Sequence, residues 1–294
     1  MMRPGRWFSW ISVGLAALAV CLILAGCQSV PASEPVSATE VLPTATPLPP
    51  LWLAAGYEAG PLADLLRTSY RRANGVGEVL TEEMSTAAAL DALQRGAADV
   101  ALVAAVSSEA LQATLGDARV VPVAVDGVVI IAHPSVNITA ISPADLARIY
   151  SGDTSDWSAL EGGSGRPVLA IQSQGTAARL AFDAAVMEGV APATTARVLP
   201  TDSHMVEYVS TTANSIGYAA ACLVRQDSPV TIVAMDRVLP TRANLEKGQY
   251  PLAYELYLVT LDSTLPTVEA LIRHATSPLG QAAISELYAP APAP

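Results

Sequence analysis

A chain of 294 residues with 51% apolar side chains is long enough to bury two cores of ordinary size, which excludes a small module held together by disulfides or metal. Aromatics make up only 5%, so the expected core is aliphatic, as in helices packed on a parallel sheet. A formal net charge of −11 argues against nucleic acid as a partner, although a small pocket can still hold an anion through a few well-aimed dipoles.

Residues 1–27 have the parts of a secretory signal: Arg3 and Arg6, an apolar run from Trp10 to Ala25, and small residues at the end. The closing Leu24-Ala25-Gly26-Cys27 resembles the lipobox of bacterial lipoproteins, where cleavage leaves the cysteine acylated. Cys27 is therefore the expected lipidated N-terminus, and the protein is expected outside the cytoplasm, attached to the membrane by that lipid. The other reading, an uncleaved anchor, meets an apolar stretch that is short for a spanning helix. Residues 28–50 hold six prolines and six Ser or Thr with no aromatic or basic residue, the composition of an extended linker. With Cys21 inside the leader, Cys222 has no disulfide partner in the mature chain and reads as a small buried hydrophobe.

From Leu51 onward, β-branched runs alternate with amphipathic stretches, the pattern of βαβ units. The spacing predicts a strand over 51–56 and a helix from Pro61 to about Arg72, with Leu62, Leu65, Leu66 and Ser69 on one face. A second unit follows: a strand through 76–80, a helix over 87–95 with Leu90 and Leu93 inward and Gly96 at its end, and a strand over 99–105. The run from Val120 to Ala132 is long for one strand and suits a segment crossing between two lobes. Ser142-Pro143-Ala144-Asp145 opens a helix to about Tyr150, through a capping hydroxyl, a proline at the first position and a carboxylate at the third. A strand over 167–171, helices over 175–187 and 202–210, and a strand over 215–219 complete the reading.

A series of motifs begins with the Gly56…Gly60-Pro61-Leu62 loop, Leu90-x-x-Leu93-x-x-Gly96-x-x-Asp99, and Leu146-x-x-Ile149-Tyr150-Ser151-Gly152 leading to Trp157. Ser173-Gln174-Gly175-Thr176, Ser215-Ile216-Gly217-Tyr218, Tyr250-Pro251-Leu252-Ala253 with Leu256 to Thr260, and Ser277-Pro278-Leu279-Gly280-Gln281 follow in turn. The order of these motifs resembles the phosphate-type solute-binding proteins of bacterial ABC importers. The resemblance implies an α/β fold of the type II periplasmic binding kind, two lobes with mainly parallel sheets closing over a central cleft. Residues 51–130 plus 252–294 would form the first lobe and 131–251 the second.

In such a cleft, unpaired N–H groups at helix starts and the helix dipole point at an anion. Three starts are placed to converge: Tyr57 to Gly60, Ser85-Thr86, and Ser173 to Thr176. The resemblance makes Thr86, Gly175 and Thr176 anion contacts; with Tyr57, Glu58, Ser173 and Gln174 they form the expected ligand-binding set. The family's small hydroxyl residues in the first loop are replaced here by Tyr57 and Glu58. Its aspartate, arginine and Ser-Gly-Thr serine fall on Ala104, Ala170 and Gln174, which removes the strong charge-assisted contacts. Glu58 opposes an oxyanion unless it turns outward or takes a proton. Arg179, three residues after Thr176, reads as a solvated surface side chain, with the cleft as its other option. Trp157 reads as a packing anchor.

His133, His204 and His274 lack ligand spacing, so no metal site is expected and surface or cap roles suit them, with the cleft as the other option for His204. No cofactor motif and no nucleophile paired with a base is visible, so the expectation is not an enzyme. The function read from these features is capture of a small oxyanion or polar solute, with an ABC permease as the implied partner. The alternative is a binding-fold lipoprotein acting as a sensor or interaction protein without tight phosphate binding.

Overall fold

The computed structural model describes residues 49–291 apart from 75–76, 161–162, 226 and 262–264, so the expected leader, Cys27 and nearly all of the linker lie outside the described residues. Strand β1 (Leu51–Gly56) leads through a 3-10 turn (Tyr57–Ala59) into helix α1 (Gly60–Asn74), whose Leu62 and Leu66 are buried as the periodicity predicts. Next come β2 (Val79–Met84), α2 (Thr86–Gln94), β3 (Val100–Ala105), α3 (Ser108–Leu115) and β4 (Arg119–Ala132). The strand expected over 76–80 is displaced toward the C-terminus. Gly77 takes a positive φ of 92°, which ends any extended run there, and β2 lies at the sheet edge, where Glu82 and Glu83 stay exposed without an apolar alternation.

The middle of the chain supplies β5 (Ala140–Ile141), α4 (Pro143–Ser151), β6 (Val168–Gln172), α5 (Ala177–Phe182) running on into a π-helical turn (Asp183–Met187), β7 (Arg197–Leu199), α6 (Asp202–Thr211) and β8 (Ser215–Ala220). Helix α4 starts as expected, with the Ser142 hydroxyl accepting from the Asp145 N–H at 3.0 Å and donating to its carboxylate at 2.8 Å. The last elements are β9 (Thr231–Met235), α7 (Arg242–Glu246), β10 (Ala253–Thr260), α8 (Pro266–Thr276), α9 (Pro278–Ile284) and β11 (Ala289–Pro290).

Strands run in the order β2-β1-β3-β10-β4-β8-β6-β7. The outer pairs β1–β2, β1–β3, β6–β8 and β6–β7 are parallel, while β10 and β4 run antiparallel to their neighbours in the middle. The long apolar run predicted as a crossing is one strand: β4 pairs with β10 from Arg119 to Gly127 and with β8 from Val128 to Ala132. Its two halves therefore serve two strand groups. Aliphatic side chains fill the layers between strands and helices, and Trp157 anchors one of them, fully buried with its indole N–H donating to the Asn214 carbonyl at 3.1 Å.

His274 departs from the surface or cap role expected of it. It is buried in α8, its Nε2 2.9 Å from the Ser69 hydroxyl and its ring edge-on to Tyr70, and burial lowers its pKa. Cys222 packs half-buried against the core, and burial pushes its thiol well up, consistent with an unreactive side chain.

Where β4 changes partner it carries Asp126, 1% exposed, whose carboxylate accepts from the Gly127 N–H at 2.8 Å and the Tyr254 hydroxyl at 3.1 Å. Burial pushes its pKa up from 3.8 to about 6. An acid raised in the folded state keeps its full contribution below its unfolded pKa and loses it as pH rises, so wild-type stability should fall between pH 3.8 and about 6. Asp126→Asn cannot ionise. In urea unfolding at a series of pH values, its stability relative to wild type should rise by up to about 3 kcal/mol across that interval and stay level beyond it. A difference that ignores pH would contradict the burial-driven shift.

Candidate functional site

The turns that follow β1, β6 and β7 line one cavity of about 420 Å³, joined by Asp64 of α1, Glu83 of β2 and Leu223. Ligand sites in α/β folds form at such carboxyl ends of strands, because the helices that follow turn their N–H groups toward the gap.

The first wall depends on a close approach. A Cβ on Gly56 would stand 2.8 Å from the Thr86 hydroxyl, so a larger residue there would push that hydroxyl from the place where β1 ends against the start of α2. Ser85 caps that helix, accepting from the Ala88 N–H at 3.2 Å. Tyr57 lines the cavity and is 55% exposed, whereas Glu58 beside it is only 6% exposed.

In the second wall, Gly175 takes a φ of 86°, which turns the chain between β6 and α5. Thr176 then caps α5: its hydroxyl oxygen accepts from the Arg179 N–H at 3.2 Å and lies 2.9 Å from Gln172 Oε1. The third wall is the start of α6, where Thr201 caps the helix and Asp202, 6% exposed, faces inward. One Asp202 oxygen accepts from the Gln172 amide at 2.6 Å and from the Ala220 N–H at 2.7 Å. Gln172 therefore links the second wall to the third.

Glu58 links the first wall to the second. Its Oε1 accepts from the Ala177 N–H, at the first turn of α5, at 3.2 Å. Desolvation by burial raises the Glu58 pKa above 4.5; the N–H groups of Glu58 and Ala177 oppose the rise, Asp202 adds to it and the Thr86 hydroxyl lowers it. Asp202 is likewise raised, first by burial, against the Ala220 N–H and the Gln172 amide.

Of the residues expected from sequence, Tyr57, Glu58 and Thr176 line this cavity, and Thr86 stands behind Glu58. Ser173, Gln174 and Gly175 are not among its lining residues: the Ser173 N–H is held by the Leu199 carbonyl at 3.0 Å, and Gln174 lines a separate depression with Pro192 and Val198. Ala104 and Ala170 are buried and apolar, so neither returns a charge to the cleft.

Arg179 is neither solvated nor in the cavity. It is 6% exposed, and its guanidinium donates to Asp183 at 2.7 Å and to the Gln172 carbonyl at 3.0 Å, facing the depression that Gln174 lines. His204 is exposed, its Nδ1 2.6 Å from the Thr201 hydroxyl. Sequence reasoning missed Gln172, Asp202, Thr201, Ser203, Asp64 and Glu83. The signal for three of them was present, since Thr201-Asp202-Ser203 opens a helix after a strand just as the expected starts do. Among the described residues the lining holds four carboxylates, Glu58, Asp64, Glu83 and Asp202, and no basic side chain. Among the described residues, no group of His, Cys, Asp and Glu is arranged to hold a metal ion.

Residues 58–282 match the model of a family described as a PBP superfamily domain. The phosphate-binding protein PstS of Bacillus subtilis (strain 168) is 28% identical over 135 residues, 45% of this chain. The chain thus spans 44% of that relative's length. A Clostridium perfringens protein solved with bound phosphate superposes with a TM-score of 0.74 at 18% identity, over 83% of this chain and 100% of the other. An ABC-type phosphate transport receptor from Vibrio cholerae gives 0.68 at 19% identity, over 81% and 99%. At those identities the likeness is one of fold.

The hydrogen bonds of Asp202 generate a direct test. Asp202→Ala leaves the Ala220 N–H without its acceptor and the Gln172 amide with only the Tyr218 carbonyl at 3.3 Å, which should cost about 1–3 kcal/mol in chemical unfolding. An unchanged midpoint and slope would mean that this carboxylate holds neither wall.

Proposed function

Since the chain belongs to the PBP superfamily, we propose that it is the extracytoplasmic solute-binding component of a phosphate-type ABC import system and captures a small polar solute between two lobes. One lobe comprises residues 51–130 plus 252–294 and the other 131–251, with β4 and its neighbours as the strands they share. The observation that carries this reading is the cavity itself: its walls come from the turn after β1 on one side and the turns after β6 and β7 on the other.

A solute that touches both walls favours the closed arrangement over the open one by its difference in affinity for the two, and a permease that reads closure needs no covalent step from this protein. Tyr57 offers an aromatic face and a hydroxyl; Thr176, Thr201 and Ser203 offer hydroxyls that donate or accept. Cys27, as the acylated end of a proline-rich tether, would hold the protein at the membrane beside its permease. Among the described residues no helix is long and apolar enough to cross a membrane.

A thermal-shift panel of inorganic phosphate, other oxyanions, polyols, sugars and small amines tests the reading. A captured solute present at about a hundred times its Kd adds about 2.7 kcal/mol to the folded state, so at least one class should give a saturable rise in Tm. Thr176→Val should weaken that rise. Silence across the whole panel would sink solute capture and favour an interaction role for the same lobe pair.

A further inference from the structure

The carboxylate of Glu58 stands where an incoming acceptor would have to stand. It is 6% exposed, comes from the turn after β1, and reaches the first peptide N–H of the helical run Ala177–Met187, 119 residues away in sequence, at 3.2 Å. The Thr86 hydroxyl and Asp202 face it from α2 and α6. The cation closest in sequence on that helical run, Arg179, is committed to Asp183 and to the Gln172 carbonyl.

From this geometry we propose that Glu58 is the specificity-determining residue of the cleft. It acts as a built-in competitor that holds the Ala177 N–H and sets the pocket against oxyanions. A solute is accepted through the hydrogen bonds it donates, as a neutral or cationic polar molecule, and not through negative charge. The proposal rests on the reading of the cavity as a solute site.

Two physical effects act in the same direction. An oxyanion bonding to Ala177 must first displace the carboxylate, and the seat it takes is already satisfied, so the exchange gains little. If Glu58 stays nearby, the oxyanion meets it together with Asp64, Glu83 and Asp202, with no basic side chain among the described lining residues to offset the repulsion. A ligand ammonium or hydroxyl meets the same four carboxylates as acceptors.

Calorimetric titration of inorganic phosphate into the full chain and into Glu58→Ala, near neutral pH, tests the competition. Wild type should show no saturable binding below millimolar phosphate, and Glu58→Ala should gain about tenfold or more in affinity. Acetate supplies a second readout that a merely structural role would not move: it should raise the Tm of Glu58→Ala saturably, by refilling the vacated seat, and leave wild type unchanged. If Glu58→Ala does not fold, Glu58→Gln keeps the volume, removes the charge and should show the same gain in smaller measure. Phosphate affinity that is indifferent to the side chain at this position, whether tight or absent in every variant, overturns the proposal, as does acetate acting equally on both proteins. Failure of the underlying reading looks different: wild type then stays silent toward every neutral and cationic solute.

Discussion

A helix whose first N–H groups open into a gap needs an acceptor, because a buried and unpaired donor loses about 1–3 kcal/mol of hydration that nothing returns. In this protein the acceptor comes from a distant turn: Glu58, between β1 and α1, reaches the Ala177 N–H at the head of α5. The contact is costly on one side, since burial disfavours the charged carboxylate and lifts its pKa, and stabilising on the other, since the N–H groups that bond it favour that charge. Its consequence is positional. With Gln172 bonded to Asp202, and Asp202 to the Ala220 N–H, the three turns around the cavity are held by a short chain of polar contacts. The buried amide and carboxylates in that chain are satisfied, which is why they can lie so far from water.

Behind the cavity, β4 gives the two strand groups a common member. Its first part belongs to the ladder with β10 and its last part to the ladder with β8, and the change falls at Gly127 and Val128, next to the buried carboxyl of Asp126. The Tyr250 hydroxyl donates to the Val128 carbonyl at 2.7 Å and Tyr254 donates to Asp126. Both tyrosines come from the returning segment around β10, so the change of partner is supported by side chains as well as by the ladders. A continuous backbone shared by the two ladders ties the strand groups on either side of it together.

Much of this was legible in local chemistry. The Ser142-Pro143 start and the long β4 run that crosses between strand groups each carry their cause in neighbouring residues, and the structure realises both. What failed depended on tertiary contacts. Arg179 has the spacing of a cleft residue, but its guanidinium folds back onto Asp183 and the Gln172 carbonyl, which no periodicity reveals. His274 is buried because Ser69 and Tyr70 of α1 pack against it, a pairing of residues 205 apart in sequence. The sequence marks Glu58 as the awkward residue of the first loop, to be relieved by turning outward or taking a proton, but a backbone N–H from another turn is a tertiary partner that no local pattern shows. Asp202 and Gln172 carry no local mark at all, because their importance lies in bonding each other.

The central claim is that an ionisable carboxylate of this chain occupies the Ala177 N–H. The proton resonance of that amide, followed by NMR from about pH 4 to 8, tests it most directly. It should titrate with a midpoint above 4.5, the ordinary glutamate value, and the titration should vanish in Glu58→Gln. A resonance that stays flat in wild type, or titrates identically in the variant, would show that Glu58 does not hold that position.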